Sequence, residues 1–265
     1  MKEHILETIM QIEKEHEVKI LYACESGSRA WGFPSRGSDY DVRFIYIHKT
    51  NWYLSIDEKR NVIEIPNRDS LSIPVHNLLD ISGWELTKTL RLFRKSNPTL
   101  LEWLHSSIVY YSSCSTVERM KSLALDIFSP APCLHHYLNM GKKNLRDFMQ
   151  GNDVKIKKYF YMLYPVLAAG WVEKYNSMPP LKFISLLDDA LPEGKLKEEI
   201  KSIIKRKIEG EELDSNPRNE VILHFLHAEI SRLEAYTKSL HNEMPDPTSQ
   251  LDALFRDSLK EVWND

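Results

Sequence analysis

Nowhere in this chain do roughly 18 apolar residues follow one another, the run that a membrane-spanning helix needs, so no membrane partner is expected. Its first twenty residues, MKEHILETIMQIEKEHEVKI, form a charged amphipathic pattern without the apolar centre and small-residue cleavage site of a secretory signal, which leaves the cytoplasm as the expected location. Cysteine is scarce. Cys24, Cys114 and Cys133 are odd in number, scattered and never in a Cys-x-x-Cys pair, which excludes a disulfide framework and a zinc ribbon. Around Cys133, His135 and His136 no fourth ligand stands at a usual metal spacing, so packing is the expected role there. Glycine is sparse as well, nine in 265 residues, and none falls into a Gly-x4-Gly-Lys-Ser/Thr loop or a Gly-x-Gly-x-x-Gly turn. Internal repeats and low-complexity tracts are absent.

What is present suits a globular protein. Apolar residues make up 42% and charged residues 28%, and the length allows one large domain or two ordinary ones. The net charge of −3 is unevenly spread: residues 141–160 carry six basic side chains against two acidic ones, whereas acidic residues are in excess beyond them. Such a band fits a phosphate-bearing ligand, or simply a solvated helical face.

Hydrophobic periodicity predicts a helix over 3–16, with Ile5, Ile9 and Ile12 on one face, and strands over 18–24 and 40–47 around the turn-rich FPSRGS. A third strand is expected over 73–82, ended by Gly83. Helical spacing resumes over 84–96, and Asn97-Pro98 supplies an N-cap and first-turn pair for a helix over TLLEWLHS. Beyond about residue 120 the alternation gives way to long helical runs at 133–149, 154–175, 195–208 and 218–241. The pattern is α+β: a small domain with a sheet, then a helical one, with the boundary near 120–130.

The chemistry concentrates in ESGSRAWGFPSRGSDYDVRFIYI, residues 25–47. Asp39 and Asp41 stand two apart at the entrance to a strand, whose period of two puts both carboxylates on one face. Like charges so placed are tolerated when exposed or when a cation lies between them, and oxygen ligands from one short stretch suit Mg²⁺. An Asp-x-Asp alone is also an ordinary turn cap. Gly27-Ser28 follows an apolar strand, where glycine lets backbone amides approach an anion and the serine adds a hydroxyl. Asp80 lies inside the strand-like HNLLDIS. It completes a three-carboxylate site if that strand neighbours 40–47; a cap at an exposed strand end is the alternative.

Gly27-Ser28, Ala30, Gly32 and Ser38-Asp39-Tyr40-Asp41 together resemble the signature of the polymerase-β-type nucleotidyltransferases: Gly-Ser at a helix start, a connection of roughly ten residues, then Asp-x-Asp at a strand start. With LDISGWEL, KSNPTLLEWLHSSIVY and KIKKYFYMLYPVLAAGWVE, the string resembles the YcgL-type predicted nucleotidyltransferases, an RNA-repair-pathway branch of that superfamily, over roughly residues 20–185. The resemblance implies a nucleotidyltransferase core of small mixed sheet and helices over 1–125, and an all-helical domain over 126–265 that closes on substrate. It implies two ions, Mg²⁺ or Mn²⁺, on Asp39 and Asp41, with Asp80 on the ion nearer the acceptor hydroxyl, and a triphosphate on Gly27 and Ser28. The implied reaction moves a nucleoside monophosphate from an NTP to an acceptor, RNA such as a tRNA 3′ end, or else a protein or small molecule. A catalytically silent nucleotide sensor or RNA-binding module is the alternative; a phosphohydrolase ranks last for want of a His-Asp pair. Arg29 and Arg36 are candidates for further phosphate contacts or for surface ion pairs. Lys157 and Lys158 are candidates for the β- and γ-phosphates and Tyr161 for stacking on the base, while Tyr159, Phe160, Tyr164 and Trp171 are expected to include core residues. The oligomeric state and the preferred base have no motif behind them.

Overall fold

The computed structural model describes residues 1–35, 37–151, 155–211, 218–240 and 246–264. In chain order its elements are α1 (Lys2–His16), β1 (Val18–Glu25), α2 (Gly27–Ala30), β2 (Tyr40–His48), α3 (Thr50–Tyr53), β3 (Val62–Ile65), β4 (Leu79–Glu85), α4 (Leu86–Arg94), α5 (Pro98–His105), β5 (Val109–Ser112) and α6 (Thr116–Ile127). Then follow α7 (Pro130–Gln150), α8 (Ile156–Tyr175), α9 (Phe183–Ala190), α10 (Lys195–Glu209), α11 (Glu220–Thr237) and α12 (Thr248–Trp263). Among the described residues no helix is long and apolar enough to cross a membrane.

The five strands form one mixed sheet in the order β3-β4-β2-β1-β5. Among the described residues only β2 and β4 run parallel, which the long crossover through α3 and β3 permits; the other pairs are antiparallel. Alternation along β2 sends Val42, Phe44 and Tyr46 to one face and Ile45 and Ile47 to the other. The first face is closed by Ile5, Ile9 and Ile12 of α1, each almost fully buried. Burying an isoleucine side chain contributes about 1.5–3 kcal/mol, so this stripe is what holds α1 on the sheet. The second face packs on α4, α5 and α6, and α12 returns from the far end of the sequence to add Leu251 and Leu254 to that core. α5 starts as expected: Asn97 accepts from the Leu100 amide at 3.1 Å and Pro98 opens the first turn.

A separate core joins α7 to α11, and Tyr159, Phe160 and Tyr164 are buried in it, as their helical spacing predicts. Phe33 enters this core from the loop after α2, its ring 4.4 Å from that of Phe160.

The strand expected over 73–82 begins only at Leu79 and runs to Glu85. Gly83, expected to end it, lies inside it: the Phe44 ring rests on Gly83, and a Cβ there would come within 2.2 Å of that ring. The glycine is a packing requirement of the sheet interior, not a stop signal.

Candidate active site

The face of β2 that is apolar at Ile45 and Ile47 turns polar toward its start, at Arg43 and Asp41, with Asp39 one step before the strand. The parallel register sets Asp41 opposite Asp80 and Arg43 opposite Ser82. Asp80 therefore does lie on a strand beside residues 40–47. Arg43 spans the two carboxylates: its Nη2 donates to Asp41 Oδ1 at 3.1 Å and to Asp80 Oδ2 at 2.9 Å. Its Nη1 donates to the Val42 and Asp80 carbonyls at 3.0 and 3.1 Å. Burial raises the Asp41 carboxyl above its ordinary range; Arg43 opposes that shift, and the Asp80 and Asp39 charges add to it.

Asp41 is boxed in from behind. Gly27, with φ of +58°, approaches so closely that a Cβ on it would lie 2.1 Å from Asp41 Oδ2. The Ser26 amide donates to the Asp41 carbonyl at 2.8 Å. Glu25, fully buried at the end of β1, accepts from the Asp41 amide at 2.9 Å and, with its other oxygen, from the Tyr110 hydroxyl. Burial is the main cause of the rise in its carboxyl pKa, which those two hydrogen bonds oppose.

In front of the carboxylates is a cavity of about 380 Å³ between the sheet and the helical core. Gly27, Ser28, Asp39 and Asp41 line one wall. Trp31, Phe33, Phe160 and Tyr161 supply an aromatic wall, and Lys155, Lys157 and Lys207 bring cations from the helical side. Trp31 stacks on Tyr164 with ring centroids 4.3 Å apart and meets Tyr161 edge-on at 6.2 Å. Burial, together with the charges of Asp41 and Asp39, raises the Tyr161 phenol pKa, which sets its hydroxyl within the carboxylates' field. Lys207 reaches across from α10 to donate to Ser35 Oγ at 3.0 Å.

The expected site residues divide accordingly. Gly27, Ser28, Asp39, Asp41, Lys157 and Tyr161 share the cavity wall; Asp80 joins through Arg43 and is not part of the lining. Arg29 is turned to the loop itself: it donates to the Ser38 and Asp39 carbonyls at 2.9 and 3.1 Å and lies 3.7 Å over the Tyr40 ring. Lys158 is also outside the lining, its Nζ beside Gly151 at the end of α7. Arg36 lies outside the described residues. Sequence reasoning passed over Arg43, Glu25, Trp31 and Lys207, and marked Lys155 only as one member of the basic band over 141–160. The period of two from Asp39 through Asp41 already pointed to Arg43, whereas nothing local marks Lys207.

Among the described residues no three carboxylate, imidazole or thiol groups converge tightly enough to hold a metal ion as they stand. The donor set nevertheless suits a hard divalent cation. Asp41 and Asp80 converge on one cation already, the Arg43 guanidinium, and Asp39 opens onto the same cavity. Mg²⁺ typically takes one or two carboxylates and completes its shell with water and substrate phosphate.

The model of the RNA repair pathway DNA polymerase beta family matches residues 1–257. The chain belongs to that family. Membership extends on both sides of the stretch whose motifs show it in the sequence, and takes in most of α12. Within related chains, "Uncharacterized protein YcgL" of Bacillus subtilis (strain 168) is 50% identical over 265 residues, all of this chain and 99% of the relative. A solved structure, the nucleotidyltransferase-like protein from Exiguobacterium sibiricum 255-15, aligns over 98% of this chain and 81% of its own, at 12% identity and a TM-score of 0.32.

Proposed function

We propose that the protein transfers a nucleoside monophosphate from an NTP to an acceptor hydroxyl and releases pyrophosphate, with RNA as the acceptor and with Mg²⁺ or Mn²⁺ required. The observation that carries the reading is the register of β2 and β4, which pairs Asp41 with Asp80 at the edge of a cavity lined by Gly27, Ser28 and Asp39. Asp39, Asp41 and Asp80 are the metal ligands in this reading. The ions, when bound, neutralise triphosphate charge and make the acceptor hydroxyl easier to deprotonate.

The chain's own groups do the rest. Gly27 and Ser28 hold the triphosphate near the carboxylates, and Lys155 and Lys157 offset its charge from the opposite wall. Tyr161 and Trp31 offer faces on which a base stacks. The acceptor oxygen bonds to the α-phosphorus as the bond to the bridging oxygen breaks. Pyrophosphate leaves with that electron pair, and the hydroxyl proton departs toward Asp80. RNA is preferred as acceptor because of the repair pathway named in the family's description; a tRNA 3′ end is one such hydroxyl.

The test incubates purified protein with each labelled NTP, Mg²⁺ or Mn²⁺, and total cellular RNA. Wild type should label RNA, while Asp39→Asn/Asp41→Asn stays at background; equal labelling by the two removes the proposal. Label on a protein or a small molecule in the same extract would move the acceptor away from RNA. One observation favours a second reading, a silent nucleotide-binding protein: Arg43 already pairs with both carboxylates. Calorimetry that finds metal-dependent NTP binding, with every acceptor left unlabelled, selects that reading.

A further inference from the structure

A basic side chain between two site carboxylates has a consequence for what those carboxylates can bind. Asp41 and Asp80 are brought together by the backbone, through parallel register, and not by attraction between them. Two carboxylates so placed repel, and the repulsion is greater where water is partly excluded. Side-chain exposure is 29% for Asp41, 38% for Asp80 and only 18% for Arg43, so the arginine is the most enclosed of the three. Its four hydrogen bonds, two to these carboxylates and two to the Val42 and Asp80 carbonyls, fix the guanidinium plane across both strands. A planar fork suits that double contact, and a lysine could not reproduce it.

We propose that Arg43 is an internal counter-cation: it holds Asp41 and Asp80 together in the metal-free chain and competes with a divalent cation for them. The inference rests on the reading that these carboxylates take a metal ion. Arg43 is thus a positioning residue, acting through Asp41 and Asp80. It keeps the carboxylates ordered before substrate arrives and weakens metal binding in the absence of a triphosphate. Nucleotide and metal then bind together, because the phosphate oxygens supply the negative charge that tips the competition.

The test reads Mn²⁺ binding without nucleotide, by electron paramagnetic resonance titration, and melting temperature in EDTA and in Mn²⁺. Wild type, Arg43→Gln and Arg43→Lys are compared. Arg43→Gln should bind Mn²⁺ about tenfold more tightly than wild type. It should melt roughly 2–4 °C lower in EDTA, the shift that about 1 kcal/mol makes in a chain of this size, and Mn²⁺ should raise its melting temperature more than that of wild type. Arg43→Lys, which keeps the charge but loses the fork, should bind Mn²⁺ with an affinity between the two. If Arg43→Gln does not fold, Arg43→Lys decides alone by binding Mn²⁺ more tightly than wild type. Affinity equal to or below that of wild type overturns the counter-cation while leaving the metal site intact. If neither wild type nor any folded variant binds Mn²⁺, the counter-cation falls together with the metal-dependent function.

Discussion

Gly27 and Asp41 are in contact so close that no side chain fits between them: a Cβ on Gly27 would meet Asp41 Oδ2 at 2.1 Å. The glycine is also held at a φ of +58°, a region that L side chains rarely adopt. Gly27→Ala should therefore push the Asp41 carboxylate out of place and cost roughly 1–3 kcal/mol of stability. Its melting temperature should fall, and nucleotide-dependent activity should fall far more than stability does. A variant that melts lower yet transfers label at the wild-type rate would separate Asp41 from the chemistry.

How far the sequence disclosed this arrangement depended on the range of the interactions involved. The long helices follow from their patterns: α1, α7 and α10 each repeat a buried stripe over several turns, while α8 is apolar nearly all round and buried without a break over 162–169. β3 and β5 have four residues each, too few for alternation to stand out, and both went unseen. β4 was displaced because apolar residues before Leu79 imitate a strand, while its true start is set by pairing with Tyr40 on a distant segment. The Asp39–Asp41 face was legible because it is a local property of one strand. Lys207 was not, because only the tertiary placement of α10 brings it to Ser35.

Glu25 supports Asp41 from below and is itself held by Tyr110, and Glu25 and Tyr110 should be coupled. Removing its carboxylate as Glu25→Ala leaves the Asp41 amide and the Tyr110 hydroxyl without their acceptor. Both donors are half-buried, so each one orphaned costs about 1 kcal/mol, the low end of the penalty for a buried donor. Tyr110→Phe removes only the second bond and should cost less. Urea melts of the two single variants and the double variant measure this, and the double should be less destabilised than the sum, because both remove the same bond.

Trp31 makes a separate prediction for nucleotide recognition. Its ring is one cavity wall, backed by Tyr164 and flanked by Tyr161. Trp31→Ala should weaken NTP binding by about 1–3 kcal/mol, the usual worth of a base stacked on an aromatic ring. Lys157→Ala should instead weaken binding of the triphosphate more than that of the corresponding nucleoside, because its partner in this reading is phosphate. Titrations of NTP and nucleoside against both variants test the pair of claims, and identical losses for both ligands would contradict the division of labour.

The last prediction concerns pH and comes from the support behind Trp31. Glu102 on α5 accepts from the Tyr137 hydroxyl at 2.7 Å, and Tyr164, which stacks on Trp31, lies beside the same carboxyl. Burial pushes the Glu102 carboxyl up to about 7, against the lowering effect of the Tyr137 hydrogen bond. A carboxyl raised in the folded chain is protonated there before it is protonated in the unfolded one. Its contribution is therefore fully present below its ordinary value of 4.5 and is lost as pH rises through about 7. Across that window wild type should lose up to about 3 kcal/mol relative to Glu102→Gln, which has no proton to release. Melting curves of the two proteins at pH 5 and pH 8 decide the matter. The variant should gain on wild type at the higher pH, and parallel curves would mean that the folded carboxyl titrates at its ordinary value and not near 7. Because Glu102, Tyr137 and Tyr164 join α5 to α7 and α8 behind the aromatic wall, ionisation should also loosen Trp31. Tryptophan fluorescence should report that change in wild type and not in Glu102→Gln.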